Sequence, residues 1–220
     1  MPGQTETVTV TTAAGALLLT AVLIVWRREL RAMVLLLTCQ GVALAALPII
    51  EGMQRAEAGL VSIGLVVLTL RAAVLPLVLA RLVTAHSTAR REGRPVIGTV
   101  ASLLVTALLI VLSFAMARPI QRLADGTDAP AVGMVLAVVF IALFTMATRR
   151  RALSQAVGFL MLDNGITGIA FLLTSGVPVI VELGASLDVL FVTLVLGLLG
   201  RALQRTFGDT DTHRLRELRD

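Results

Sequence analysis

"LSQAVGFLMLDNGITGIAFLL", residues Leu153–Leu173, reads as oil with Asp163 and Asn164 at its centre. A run of roughly 20 apolar residues makes a helix about 30 Å long, the thickness of a bilayer's hydrocarbon core. Asp163 lies ten residues into the run, about 15 Å along a helix axis and so near mid-membrane. The next apolar run, Pro178–Gly200, repeats the anomaly with Glu182 one turn in and Asp188 at a depth similar to that of Asp163.

Working outward, the same pattern fills the chain. It has 220 residues, 57% hydrophobic and 15% charged, with mean hydropathy +0.92. Soluble domains hold about 45–50% apolar and about 25% charged residues, so this is membrane composition. The runs lack period-two alternation, which excludes a membrane barrel. The spacing predicts seven helical spans, near Val8–Trp26, Ala32–Ile50, Gly59–Thr84, Val96–Ala117, Ala131–Thr148, Leu153–Leu173 and Pro178–Gly200. Pro95, Pro130 and Pro178 stand where spans begin, the place where a missing N–H costs least. The fold class expected is an all-α integral membrane protein forming one transmembrane domain over 1–220, with a charged cytoplasmic tail at 205–220.

All 19 basic residues are Arg, a skew that carries little information at any one site. Their placement does inform. Fifteen fall in loops on one side, and only Arg55, Arg118 and Arg122 on the other. The positive-inside rule then sets the N-terminus outside and the C-terminus in the cytoplasm. The net charge of +5 belongs to this asymmetry and is no nucleic-acid footprint. A single Cys, Cys39, excludes an internal disulfide, and with two His in loop and tail no metal or redox-cofactor ligand set is visible.

Internal repetition is also expected. "LLLTCQGVALAAL" in the second span aligns with "GFLMLDNGITGIAFL" in the sixth, Gln40-Gly41 on Asn164-Gly165, which also sets Arg27 on Arg151. Two parallel three-helix repeats, 8–84 and 131–204, would then be joined by a connector helix at 96–117.

One arginine remains, Arg71, midway along the third span. A mid-membrane charge costs about 2.5–3.5 kcal/mol on insertion scales, so Arg71, Asp163 and Asp188 should face protein. One cation and two acids leave two readings open. Either an ion pair pins helices together, or a carboxyl group beside a second acid and a fixed cation takes up and releases protons. Pro76 frees the carbonyl of Ala72, next to Arg71, and is expected to kink or bulge the helix at the depth of its charge. Gly158, Gly165 and Gly168 are expected at close helix contacts.

These residues carry a resemblance. Asp163-Asn164-Gly165, then Glu182-Leu183-Gly184 through Asp188, with Pro178 ahead of the second motif, resembles component E of hydrogenase-4 and formate hydrogenlyase complexes. Arg71 before "AAVLPL" resembles the family's basic residue before "VLPL". That family is related to the K subunit of respiratory complex I and the C subunit of multisubunit cation/proton antiporters. The resemblance implies a subunit of the bacterial plasma membrane, set between antiporter-like subunits and a complex I-like anchor for peripheral hydrogenase-like subunits. Asp163, Asp188, Arg71 and Glu182 would then belong to a proton or cation path, supported by Asn164, Gly165 and Pro76. No catalysis is expected from this chain alone, and iron–sulfur or nickel–iron centres would belong to its partners. Two residues depart from the family: Asp163 where Glu is usual, one methylene shorter, and Arg71 where Lys is expected. Arginine stays protonated in the ordinary pH range, so it holds charge rather than passing protons. The rivals are a free-standing small transporter with its site between parallel repeats, and a structural protein whose charges only lock helices.

Overall fold

The computed structural model describes residues 2–85, 98–121, 129–149 and 152–173. The expected seventh span, with Glu182 and Asp188, and the tail at 205–220 lie outside the described residues. Within them the chain is helical: α1 (Pro2–Trp26), α2 (Leu30–Gln54), α3 (Ala58–Val67), α4 (Leu75–Ala85), α5 (Thr99–Gln121), α6 (Ala129–Thr148) and α7 (Ala152–Leu173). Between α3 and α4 the helix does not break; it widens into a π-helical segment, Leu68–Val74. Six stretches are long and apolar enough to cross a bilayer: Val8–Trp26, Leu30–Gln54, Ala58–Arg81, Thr99–Pro119, Pro130–Thr148 and Leu153–Leu173.

Several boundaries differ from expectation, α1 beginning at Pro2 and α5 at Thr99, and two change how a helix ends. α2 runs a turn past Ile50 to Gln54, and α5 carries Pro119 inside its end rather than beyond it. A proline in the last turn forfeits the bond that its N–H would have made to the Ala115 carbonyl, one bond of the ladder, and the helix ends two residues later. α2 closes with Ala56 at φ 54° and the Glu57 N–H donating to the Gly52 carbonyl at 2.9 Å. That is a left-handed cap of the Schellman kind, built on alanine where glycine is usual.

α1, α2, α6 and α7 form the centre. α1 packs on α2 and α6, and α7 packs on α6 and α2. The third crossing (α3, π segment and α4) covers α2, while α5 covers α6 and α1. The helix pairs matched by the repeat alignment, α1–α2 and α6–α7, are thus the core. The rest of the second repeat is outside the described residues, and the repeat stays an expectation.

The packing is that of a lipid solvent. α5 buries Ser102, Thr106, Ser113 and Ala117, and turns Val100, Leu104, Leu108 and Val111 outward. Small and hydroxyl side chains allow close approach, and lipid tails receive the large ones. Two of the buried α5 hydroxyls are satisfied by carbonyls: Thr106 donates to the Ser102 carbonyl at 2.8 Å, and Ser113 to the Gly133 carbonyl of α6 at 3.0 Å.

Candidate functional site

Pro76 cannot donate a backbone hydrogen bond, so the turn before it must rearrange. In the π segment the Leu75 N–H reaches back five residues to the Leu70 carbonyl. Such widened turns recur at functional positions. Arg71 stands at the middle of this one, 2% exposed.

The guanidinium points at α7. Arg71 Nη2 lies 2.8 Å from Asp163 Oδ2 and donates to Thr167 Oγ1 at 2.9 Å. Nη1 donates to Asn164 Oδ1 at 2.7 Å. Residues 163, 164 and 167 share one helix face, which matches the planar fork of an arginine. Asn164 Nδ2 then donates to Gln40 Oε1 of α2 at 3.1 Å, and Gln40 Nε2 to the Leu17 carbonyl of α1 at 3.2 Å. The polar line therefore crosses four helices at mid-membrane depth. Among the described residues the line holds one cation and one carboxylate. The balance in exposure is uneven: the Arg71 side chain is 1% exposed, while Asp163 keeps 22%. The carboxylate, with Thr167 beside it, is partly exposed at the surface of the described helices.

Glycines set the distances. A Cβ on Gly41 would stand 2.7 Å from both the carbonyl carbon and oxygen of Arg71, so only glycine lets α2 cross the π segment here. A Cβ on Gly165 would meet Val139 Cγ2 at 2.8 Å, and one on Gly168 would meet Val135 Cγ1 at 2.9 Å. These contacts seat α7 against α6 and fix the face that Arg71 reads.

Arg71, Asp163 and Asn164 are thus brought together, with Gly165 and Pro76 shaping the elements that carry them. Glu182 and Asp188 lie outside the described residues. Asn164, implied as a support of the path, and Thr167 both accept from the arginine. Gln40 was not among the expected site residues, although a glutamine within "LLLTCQGVALAAL" is itself a signal of internal contact. Among the described residues, no three His, Cys, Asp or Glu side chains converge on a metal-sized position.

A second polar centre lies at the arginine-rich end. Arg149, directly after α6, donates through Nη2 to the carbonyls of Val25 at 2.9 Å and Arg27 at 3.0 Å, capping the end of α1. It is 7% exposed. Gln155 Nε2 donates to the Arg149 carbonyl at 3.0 Å and ties α7 to the same corner.

Among the described residues, six lipid-length helices around an ion pair define a multi-pass α-helical membrane protein. Over 208 residues, 94% of each chain, it is 56% identical to the uncharacterized protein Rv0085 of Mycobacterium tuberculosis. The chain belongs to one family with that protein. Hydrogenase-4 component E of Escherichia coli K12 is 30% identical over 117 residues, and the same protein name and figures hold for Shigella flexneri. That match spans 53% of this chain and 54% of the relative, about half of each. No family model matches the chain, and no solved structure matches it.

Proposed function

We propose that the chain is a non-catalytic membrane subunit of a complex I-related, hydrogenase-4 or formate hydrogenlyase-type complex. In this reading Asp163, with Asp188 and Glu182 from the seventh span, contributes carboxylates to a lateral path for protons or cations. Arg71 supplies a fixed positive charge to that path. The chain binds no redox cofactor. It lies between antiporter-like subunits and the membrane anchor of a hydrogenase-like arm, with its N-terminus outside and its C-terminus in the cytoplasm. The observation that carries this reading is the Arg71–Asp163 pair, buried on the arginine side, continued through Asn164 to Gln40 and part-exposed at the carboxylate. The half-length likeness to hydrogenase-4 component E supplies the type of complex.

A second reading has its own support. Arg71 is enclosed and held by three α7 side chains, the geometry of a latch. Breaking a buried pair from one side costs about 3–5 kcal/mol, whereas replacing both partners can be neutral. Asn keeps the shape of Asp but has no proton to lose. On the path reading, complexes with Asp163→Asn and Asp188→Asn assemble but lose redox-coupled proton movement. On the latch reading, Asp163→Asn lowers assembly, and Arg71→Met with Asp163→Asn restores both assembly and coupling. Complex yield and proton pumping measured in these variants separate the two. Full pumping from an assembled Asp163→Asn, Asp188→Asn double variant ends the path reading.

A further inference from the structure

Gln40 is as enclosed as a core leucine, 0% exposed on α2, yet it carries an amide. Its Oε1 accepts from Asn164 Nδ2 at 3.1 Å, and its Nε2 donates to the Leu17 carbonyl at 3.2 Å. The two ends of this line are of opposite kind. A guanidinium has only hydrogens to give, and a backbone carbonyl has none. Arg71 Nη1 donates to Asn164 Oδ1 at 2.7 Å, so the line starts on a donor and finishes on an acceptor. Two amides between such ends complete all three hydrogen bonds in one orientation each. With Gln40 turned over, its oxygen would face the Leu17 carbonyl and its nitrogen would face Asn164 Nδ2, and two bonds would be lost together. Asn164 is 3% exposed, so bulk water does not replace them.

The next residue of α2 fixes the register. A Cβ on Gly41 would stand 2.7 Å from the Arg71 carbonyl carbon. One turn of α2 therefore bears on the backbone of Arg71 and also orients the amide that its side chain meets. The three α7 groups on the guanidinium divide by charge. Asp163 at 2.8 Å is a carboxylate, whereas Asn164 at 2.7 Å and Thr167 at 2.9 Å are neutral acceptors. The neutral pair is unaltered when a proton or cation joins Asp163. Nor does the line pass a proton onward, because an amide donates a hydrogen bond without giving up its hydrogen, and the last group is a carbonyl.

We propose that Gln40 is a positioning residue. By holding the Asn164 amide with its oxygen toward Arg71, it keeps the guanidinium seated when the charge at Asp163 changes, and it carries no proton itself. The seating stands on the geometry; its use in coupling rests on the path reading proposed above.

Asn164 is the only asparagine in the chain, so labelling with nitrogen-15 asparagine reports a single side-chain amide. In the full chain in lipid nanodiscs, that amide should exchange its hydrogens slowly. Exchange at the rate of a free amide overturns the proposal without recourse to any variant. Gln40→Met, close in shape but unable to bond, should shift the resonance and speed exchange about tenfold, the size of one lost hydrogen bond. Asp163→Ser, which removes the carboxylate and adds no asparagine, should leave the Asn164 amide protected. An amide unmoved by Gln40→Met, or disturbed as much by Asp163→Ser, overturns the proposal. Helicity and melting temperature, measured in parallel, show that each variant is folded. Redox-coupled proton movement in the assembled complex is the second arm. Gln40→Met should lower it and leave part of it. Full movement with the Asn164 amide freed, or complete loss in an assembled Gln40→Met complex, overturns the positioning role. A seated amide together with full pumping from the Asp163→Asn, Asp188→Asn double variant keeps the seating and ends the path reading instead.

Discussion

Asn164 is the residue through which the polar line passes, taking an N–H from Arg71 and giving one to Gln40. Asn164→Ala removes both contacts and leaves a buried donor on one helix and a buried acceptor on another. Such groups cost about 1–3 kcal/mol each in water-soluble proteins, and polar contacts within membranes average nearer 0.6. The expected outcome is a loss of about 1–3 kcal/mol in total, read as a lower melting temperature in detergent. Asn164→Asp keeps the acceptor for Arg71 and should restore part of the loss. A melting temperature unchanged by Asn164→Ala would show that the line contributes no stability. At this scale the sequence was readable where charge stood out. Arg71 and Asp163 are conspicuous in apolar runs, and their partnership follows from the cost of burying either alone. Arg149 was not readable: it opens the run Arg149–Arg151, which looks like one basic loop. Only packing shows that the first of the three turns back to cap α1.

At the scale of elements, the α2 cap offers the sharpest test. Ala56 holds φ 54°, a conformation that costs an L-residue roughly 1–2 kcal/mol and glycine almost nothing. Ala56→Gly keeps the Glu57-to-Gly52 bond and removes that strain. Against it stands the greater chain entropy of glycine when unfolded. The net expectation is a gain of about 0.5–1 kcal/mol, measured as a higher melting temperature. A fall would mean that the unfolded-chain term dominates. No sequence signal pointed here, because the usual glycine is absent. α5 shows the opposite case. Its apolar run was plain, but which face packs was hidden, since lipid and core both accept leucine and valine. The hydroxyls of Ser102, Thr106 and Ser113 mark the buried face, while Ala101, Ala107 and Ala115 are exposed, so the signal is weak within a run so apolar.

For the whole molecule, the ends of the helices sort by charge. Arg28 reaches Thr99 and Arg149 caps α1, so the end of α1, the start of α5 and the end of α6 gather on one face with Arg28 and Arg149. On the proposed orientation that face is cytoplasmic. In a Cys39→Ala background, a membrane-impermeant thiol reagent added outside intact cells should label Arg55→Cys and leave Arg150→Cys untouched until the membrane is opened. The reverse pattern would invert the orientation. The helical, lipid-spanning architecture was legible from length and composition alone, because backbone groups in hydrocarbon leave few other options. The arrangement around the core was not, since similar apolar helices can pack in many orders. What selects this one is a handful of close approaches at Gly41, Gly165 and Gly168.

One of those approaches gives the third crossing the character of a screw thread with a fault in its pitch. The π segment, Leu68–Val74, winds more residues into each turn than the helix on either side. Returned to ordinary α pitch, it would turn α4 against α3 by about 100°, one residue's share of a turn. Arg71 lies within the faulted thread, and Gly41 of α2 bears directly on its backbone. The angular setting of one half of this helix against the other is thus locked at the same point that holds the buried charge, so neither can change without the other.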